Sequence, residues 1–235
     1  MESKRCSSPS KWRVVHICNL YHAKKPAAEI ASLFGAQIPV AFNSADEVYP
    51  GYPGIVAREQ DGRRILQSMV WGFPRPMKSK KTGLPLKPRP VNNIADLSNF
   101  MWQGIAPEPQ WRCLIPVTAF AEAEGAAGRM TRTWISLKDQ ELFAWAGMWR
   151  VSDEWGPVYS GLMTECNEAI RPVHVRMPVL LQTDEYDQWL HGSLDDVLAF
   201  QSRTFSDDLI ALDRTDEPWF RRKGAEATAA QENML

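Results

Sequence analysis

No apolar run in this chain approaches the roughly 20 residues that a helix needs to cross a bilayer, so no membrane partner is expected. Cysteine is sparse, and its four positions (Cys6, Cys18, Cys113, Cys166) contain no C-x-x-C pairing. That spacing fits neither a zinc site nor a disulfide framework. The four histidines, His16, His22, His174 and His191, show no ligand spacing, which argues against a metalloenzyme, and no cofactor is implied. An excess of charge of one sign is lacking as well. With a net charge of −1, any nucleic-acid contact has to come from a local patch rather than a global field. Residues 1–17 are polar and basic and have no apolar h-region, so they are not a secretory signal. These absences point to a cytoplasmic protein with reduced thiols.

What is present is enough chain, at 235 residues, for a substantial core. Ten tryptophans are many; indole rings pack cores and also stack on bases. Residues 1–17 form an N-terminal extension without periodicity, 18–222 a single domain, and 223–235 a polar tail. Trp12–Cys18 could start a strand. Pro26 and the apolar spacing after it predict a helix stopped by Gly35. Strands are expected at Ile55–Glu59 and Arg64–Trp71, joined by an Asp61-Gly62 turn. Further strands are expected at 113–117, 133–137, 142–149, 158–164 and 179–182. Helical pieces are expected at 98–103, 165–170, 184–190 and 194–200. Phe73–Pro90 carries five prolines and six cations and is expected to be an irregular loop. Many short strands and few helices predict an α+β domain, sheet-rich and mainly antiparallel, barrel-like with peripheral helices.

Several residues could carry chemistry. Cys18 is either a small buried hydrophobe or a nucleophile. Glu122 lies in an apolar segment: it is either a buried carboxylate with a task or, if the chain turns toward Gly125, a solvated one. His174 and Arg176 share a face of an extended chain, and an imidazole beside a cation suits a phosphate-bearing substrate. Asn93, preceded by Asn92, has the composition of a turn. Trp71-Gly72 offers an aromatic face with an open backbone, a candidate base-stacking platform ahead of the basic loop.

Taken in order, the pieces resemble the SOS-response-associated peptidase family of abasic-site processing proteins. They are Cys18-Asn19-Leu20-Tyr21, Trp71-Gly72, Asn93, Arg112-Cys113-Leu114-Ile115-Pro116 with Glu122, Ala146-Gly147-Met148-Trp149, and Thr164 and Asn167 ahead of His174-Val175-Arg176-Met177-Pro178. The resemblance runs from Cys18 to about Gln182. It implies a covalent trap for abasic sites in single-stranded DNA, with possible AP-lyase and autopeptidase steps, acting as a monomer. An N-terminal cysteine amine condenses with the ring-opened sugar aldehyde, and its thiolate closes a thiazolidine. Carried over, Cys18 supplies both nucleophiles, Asn93 orients the adduct, Glu122 shuttles protons and His174 assists. Asn19, Trp71, Gly72, Thr164 and Arg176 contact the DNA. An α-amine with a pKa of roughly 8 suits this chemistry better than a lysine, and a nearby cation or protonated His would favour the thiolate.

The chain departs from the family pattern at three points. Cys18 follows Ile17, so its nitrogen is an amide. Either the working chain starts near position 17, or the extension is cleaved, or the covalent chemistry is lost; the patternless residues 1–16 favour the first. The family often has Arg where Ala95 stands and Trp where Ala123 stands, which removes a phosphate contact and a stacking surface. Arg75, Lys78, Lys80, Lys81 and Trp102 are the candidates to replace them. Two competing functions remain: a cysteine peptidase acting in trans and a reversible single-strand binder.

Overall fold

The alternation of apolar residues along the strands decides the architecture. In Arg112–Val117, Cys113, Ile115 and Val117 face one apolar cluster while Leu114 faces another. Phe143–Ser152 does the same, with Phe143, Trp145 and Trp149 on one side and Ala144, Ala146 and Met148 on the other. Strands apolar on both faces must be covered on both. A computed structural model, describing residues 18–43 and 45–219, satisfies this by closing a ring. Arg63–Trp71 pairs with Pro53–Gln60, which pairs with Arg112–Val117, then Phe143–Ser152, then Gly156–Glu165. Gly156–Glu165 returns to Arg63–Trp71, and this closing contact is parallel while the others are antiparallel.

A second sheet of five strands runs Ile210–Pro218, Thr131–Leu137, Ala119–Glu124, Tyr21–His22, Glu47–Val48, all antiparallel. The helices Ala27–Leu33, Tyr186–His191 and Leu194–Ser202 contribute Ile30, Trp189 and Phe200 to the cluster outside the ring. The sheet-rich, mainly antiparallel, barrel-like α+β fold is therefore as the sequence predicts. Inside the ring, Trp145 packs edge-on against Tyr21 and Trp71, and Tyr21 and Tyr159 share a short hydroxyl–hydroxyl hydrogen bond. Room for these rings comes from glycine. A Cβ on Gly161 would lie 2.0 Å from the Trp145 ring, and one on Gly54 would lie 2.1 Å from the Tyr159 hydroxyl.

Three expectations are corrected. Phe73–Pro90 is not an irregular loop: Phe73–Lys78 and Pro85–Val91 pair as an antiparallel hairpin. A two-stranded ribbon uses only alternate N–H groups. Pro74 sits opposite Pro90, and their neighbours Pro76 and Pro88 keep the same alternation, so the prolines occupy positions whose N–H the pairing does not need. The expected helix at 165–170 is a turn. Asn167 Oδ1 accepts from the Ile170 N–H at 3.1 Å, a side-chain bond that competes with helical pairing. The strand Ile210–Pro218 was not expected at all. It is a polar edge, exposed along much of its length, and lacks an alternating signature. Apart from Cys18, the expected strand from Trp12 falls outside the described residues, as do the extension 1–17 and the tail 223–235.

Gly161→Ala should destabilise the protein by about 1–3 kcal/mol through overpacking against Trp145. Gly104→Ala should be neutral or slightly stabilising, because Gly104 is in the right-handed helical region and a Cβ there meets nothing within 4 Å. Urea denaturation midpoints of the two variants check both; a Gly161→Ala midpoint equal to that of Gly104→Ala would contradict the packing.

Candidate functional site

The chain reaches Cys18 beside the second sheet. Tyr21 pairs with Phe120, and the Ala121 N–H donates to the Leu20 carbonyl at 2.9 Å. Continuing that antiparallel register sets Asn19 opposite Glu122, and Cys18 follows one residue beyond, within reach of the Glu122 side chain. The Cys18 N–H donates to Glu122 Oε1 at 3.0 Å. Glu122 therefore stands in an extended strand, Ala119–Glu124, rather than a solvated turn, and it is 1% exposed. From the ring side, Asn93–Ile94 pairs parallel to Gly161–Leu162. Asn92 and Asn93 each donate a side-chain N–H to the Cys18 carbonyl at 3.0 Å. Cys18 is held at φ 28°, a left-handed conformation that non-glycine residues seldom adopt. Cys18, Asn93 and Glu122 thus converge, as the sequence suggested.

Asn92 is the member that sequence reasoning passed over. Its amide also approaches Asn19 Oδ1 at 3.2 Å, and its carbonyl accepts from Trp71 Nε1 at 3.0 Å and from the Gly161 N–H at 3.1 Å. The Asn92-Asn93 doublet was the available signal, read as a turn. His174 makes no hydrogen bond to the other three. Its Nδ1 lies 3.0 Å from both the N–H and the carbonyl oxygen of Arg176, accepting from the first in one tautomer and donating to the second in the other. Its buried Nε2 has no partner among the described residues. The Arg176 guanidinium donates to the Ala95 carbonyl at 2.6 Å and the Met163 carbonyl at 3.3 Å, tying the His174 segment to the chain just past Asn93.

The electrostatics differ from expectation. Burial, with no salt-bridging cation among the described residues, raises the Glu122 carboxyl from an ordinary 4.5 to about 8; the Cys18 N–H offsets part of that rise. The same burial, and then the nearness of Glu122, pushes the Cys18 thiol well up. Burial also lowers His174, so its ring is neutral at neutral pH. The cation expected to favour a thiolate is absent from this arrangement, and the resting sulfur is a thiol.

Four expected DNA contacts have structural occupations. Trp71 is fully buried against Tyr21 and Trp145 and presents no face for stacking. A Cβ on Gly72, at φ 116°, would come within 2.4 Å of Pro90, so glycine is required there by the hairpin's close approach. Thr164 is buried and donates to the Arg203 carbonyl at 3.1 Å. Arg176 is committed to backbone carbonyls, as above. Trp102 is also buried, edge-on to Phe73 at 5.0 Å. The exposed cations lie on the hairpin instead. Arg75, Lys78, Lys80, Lys81, Lys87 and Arg89 are all exposed, and none forms a salt bridge among the described residues. Arg75 and Arg89 sit directly opposite each other.

A family model described as SOS response associated peptidase (SRAP) matches residues 17–211. The chain belongs to the SRAP family. It is 30% identical over 147 residues to the abasic site processing protein YoaM of Bacillus subtilis (strain 168), covering 58% of this chain and 62% of that protein. It is 27% identical over 146 residues to YobE, an abasic site processing protein of the same organism, covering 58% and 64%. The matches therefore span a little under two thirds of those relatives' length. Among solved structures, a Bordetella bronchiseptica protein superposes with a TM-score of 0.68 at 20% identity, covering 84% of this chain and 99% of that one. A Bacteroides thetaiotaomicron protein superposes at 0.67 and 18% identity, covering 84% and 91%. At those identities the likeness carries the fold. No described helix of this SRAP chain is long and apolar enough to cross a membrane.

Glu122 makes the stability of the fold depend on pH. Between about pH 4.5 and 8 the native carboxyl keeps a proton that the unfolded chain has released. The native state then binds more protons, so stability falls as pH rises through that window. The expected loss is on the order of 4 kcal/mol, and Glu122→Gln should flatten it. Chemical denaturation of both proteins at several pH values checks this; identical pH dependences would show that Glu122 ionises normally.

Proposed function

We propose that this SRAP chain captures abasic sites in single-stranded DNA as a covalent adduct on Cys18. The observation that carries the reading is the Cys18 nitrogen 3.0 Å from a buried carboxyl with a pKa of about 8. Family membership and the names of the Bacillus relatives support the lesion class. The basic hairpin supports a DNA backbone as ligand, since like charges set opposite each other destabilise a sheet unless a polyanion neutralises them.

The chemistry needs Cys18 with a free amine. Hydrolysis of the Ile17–Cys18 peptide bond would supply it, taking up one water and leaving a carboxylate on Ile17; a chain that begins at Cys18 needs no such step. The amine adds to the aldehyde carbon of the ring-opened sugar, and loss of one water gives an imine. The Cys18 sulfur then bonds the imine carbon while the thiol proton ends on nitrogen, closing a thiazolidine. The net release is one water. An α-amine in place of that amide would titrate together with Glu122 as one coupled pair, and the two groups can pass a proton between them. Glu122 gives that proton to the departing hydroxyl and takes one back from the attacking group. Asn92 and Asn93 hold the Cys18 carbonyl so that amine and thiol stay oriented, and closure is intramolecular. His174 serves as a neutral proton carrier whose buried Nε2 has no partner among the described residues. Trp71 and Gly72 act on this site as positioning residues, through Asn92 and Pro90.

In a chain that retains residue 17, the Cys18 nitrogen is an amide and holds no lone pair for imine formation. Reversible single-strand binding through the hairpin is the second reading, favoured for that form alone.

Material beginning at Cys18, incubated with a single-stranded oligonucleotide bearing an abasic site, should give a band that survives denaturation. Its mass should equal protein plus DNA minus one water. Cys18→Ala should abolish it, and Glu122→Gln should slow its formation by about 10²–10⁴-fold. No adduct from protein with a verified Cys18 amine would refute the proposal.

A further inference from the structure

A cleft of about 260 Å³ opens beside the Cys18 cluster, between the hairpin and the short helix Phe100–Gln103. Its walls include Asn93, Arg75, Ala95, Asp96 and Phe100. Asn93 belongs to both places: one side of the residue bonds the Cys18 carbonyl, and the residue also lines the cleft. Phe100 is 82% exposed, the most exposed of the large apolar side chains among the described residues. A phenyl ring left in water at the mouth of a cleft has no packing role to account for it. Arg75 brings a guanidinium with no salt bridge among the described residues, and the remaining hairpin cations extend the positive surface away from the cleft.

We propose that this cleft is a subsite for the nucleotide flanking the lesion, with its base stacked on Phe100 and its phosphate on Arg75. The inference rests on the abasic-site reading and adds the residues that grip the strand. An abasic position offers no base to hold, so affinity must come from its neighbours, and every base has a face that an aromatic ring can stack on. Asp96 lies in the wall with its carboxyl held below the ordinary range by the Ser98 hydroxyl and N–H. A carboxylate there repels a phosphate, which orients the phosphate toward Arg75 and the base toward Phe100 and Asp96. Stacking on Phe100 also resolves the loss of Trp71 and Trp102 to the interior.

The test uses the full chain and a fluorescent single-stranded oligonucleotide carrying a tetrahydrofuran site, an abasic analogue with no aldehyde. Binding is followed by anisotropy over about 50–200 mM salt. Phe100→Ala should weaken binding by about 5- to 100-fold with an unchanged salt slope, and Phe100→Trp should restore it while Phe100→Leu does not. Arg75→Ala should weaken binding and lower the salt slope by about 1. Because Phe100 is exposed, its replacement leaves the fold intact, and circular dichroism verifies this. Equal affinity of wild type and Phe100→Ala, or failure of Phe100→Trp to restore binding, overturns the subsite alone. Absence of both reversible binding and cross-linking to an aldehyde-bearing strand by wild-type material with a free Cys18 overturns the abasic-site reading and the subsite with it.

Discussion

The contact on which the site depends is a hydrogen bond from a backbone nitrogen, that of Cys18, to a carboxyl with no counter-charge among the described residues, that of Glu122. A bare carboxylate in the interior is costly, and the inexpensive solution is to keep its proton. That choice fixes much else. It makes Glu122 a neutral acid near neutral pH, keeps the Cys18 sulfur protonated, and requires the chain before Tyr21 to run against Ala119–Glu124 in one register. A slip of one residue would turn Glu122 to the other face of its sheet and part it from the nitrogen. The register is guarded by Tyr21, whose ring is locked among Trp71, Trp145 and the Tyr159 hydroxyl.

The ring of strands supports this contact from the other side. Trp145 donates to the Leu162 carbonyl and Trp71 to that of Asn92, so two indoles that fill the interior also satisfy backbone groups at Asn92 and on the strand that pairs with Asn93–Ile94. The asparagine amides then reach the Cys18 carbonyl. Packing, backbone satisfaction and site geometry are one arrangement here, and the small residues Gly54 and Gly161 are what allow rings of that size to fit within it.

Which parts were readable in the sequence follows from how each signal is encoded. Period-two alternation in 113–117 and 142–149 reports burial on two faces directly, so the strands and the barrel-like class were legible. Cys18, Asn93 and Glu122 were found through their order along the chain, and spatial convergence agrees. Trp71 was misread because an indole signals both core and stacking surface, and only neighbours distant in sequence, Tyr21 and Trp145, decide between them. The thiolate was misread for a related reason: Arg176 is two residues from His174, but its guanidinium reaches Ala95 and Met163 and its backbone is what His174 meets. Phe100 gave no signal, since an exposed aromatic on a four-residue helix has no periodicity to report it.

The hairpin shows where charge, rather than packing, governs. An isolated two-stranded ribbon is marginal in water, and this one sets Arg75 against Arg89 with no acid between Phe73 and Val91. It persists because its base is anchored: Phe73 is buried against Trp102, Gly72 lies close under Pro90, and the Gly72 N–H donates to the Tyr159 carbonyl at 2.7 Å. A rigid foot therefore holds the repelling Arg75–Arg89 pair, with Arg75 in the wall of the cleft that Asn93 also lines. In a chain of net charge −1, the hairpin's cations, without salt bridges among the described residues, give a polyanion a local point of attraction. Such an attraction is modest and weakened by salt. That suits the covalent capture proposed for Cys18, because strong reversible affinity for undamaged strands would delay encounter with the rare position that has an aldehyde to offer.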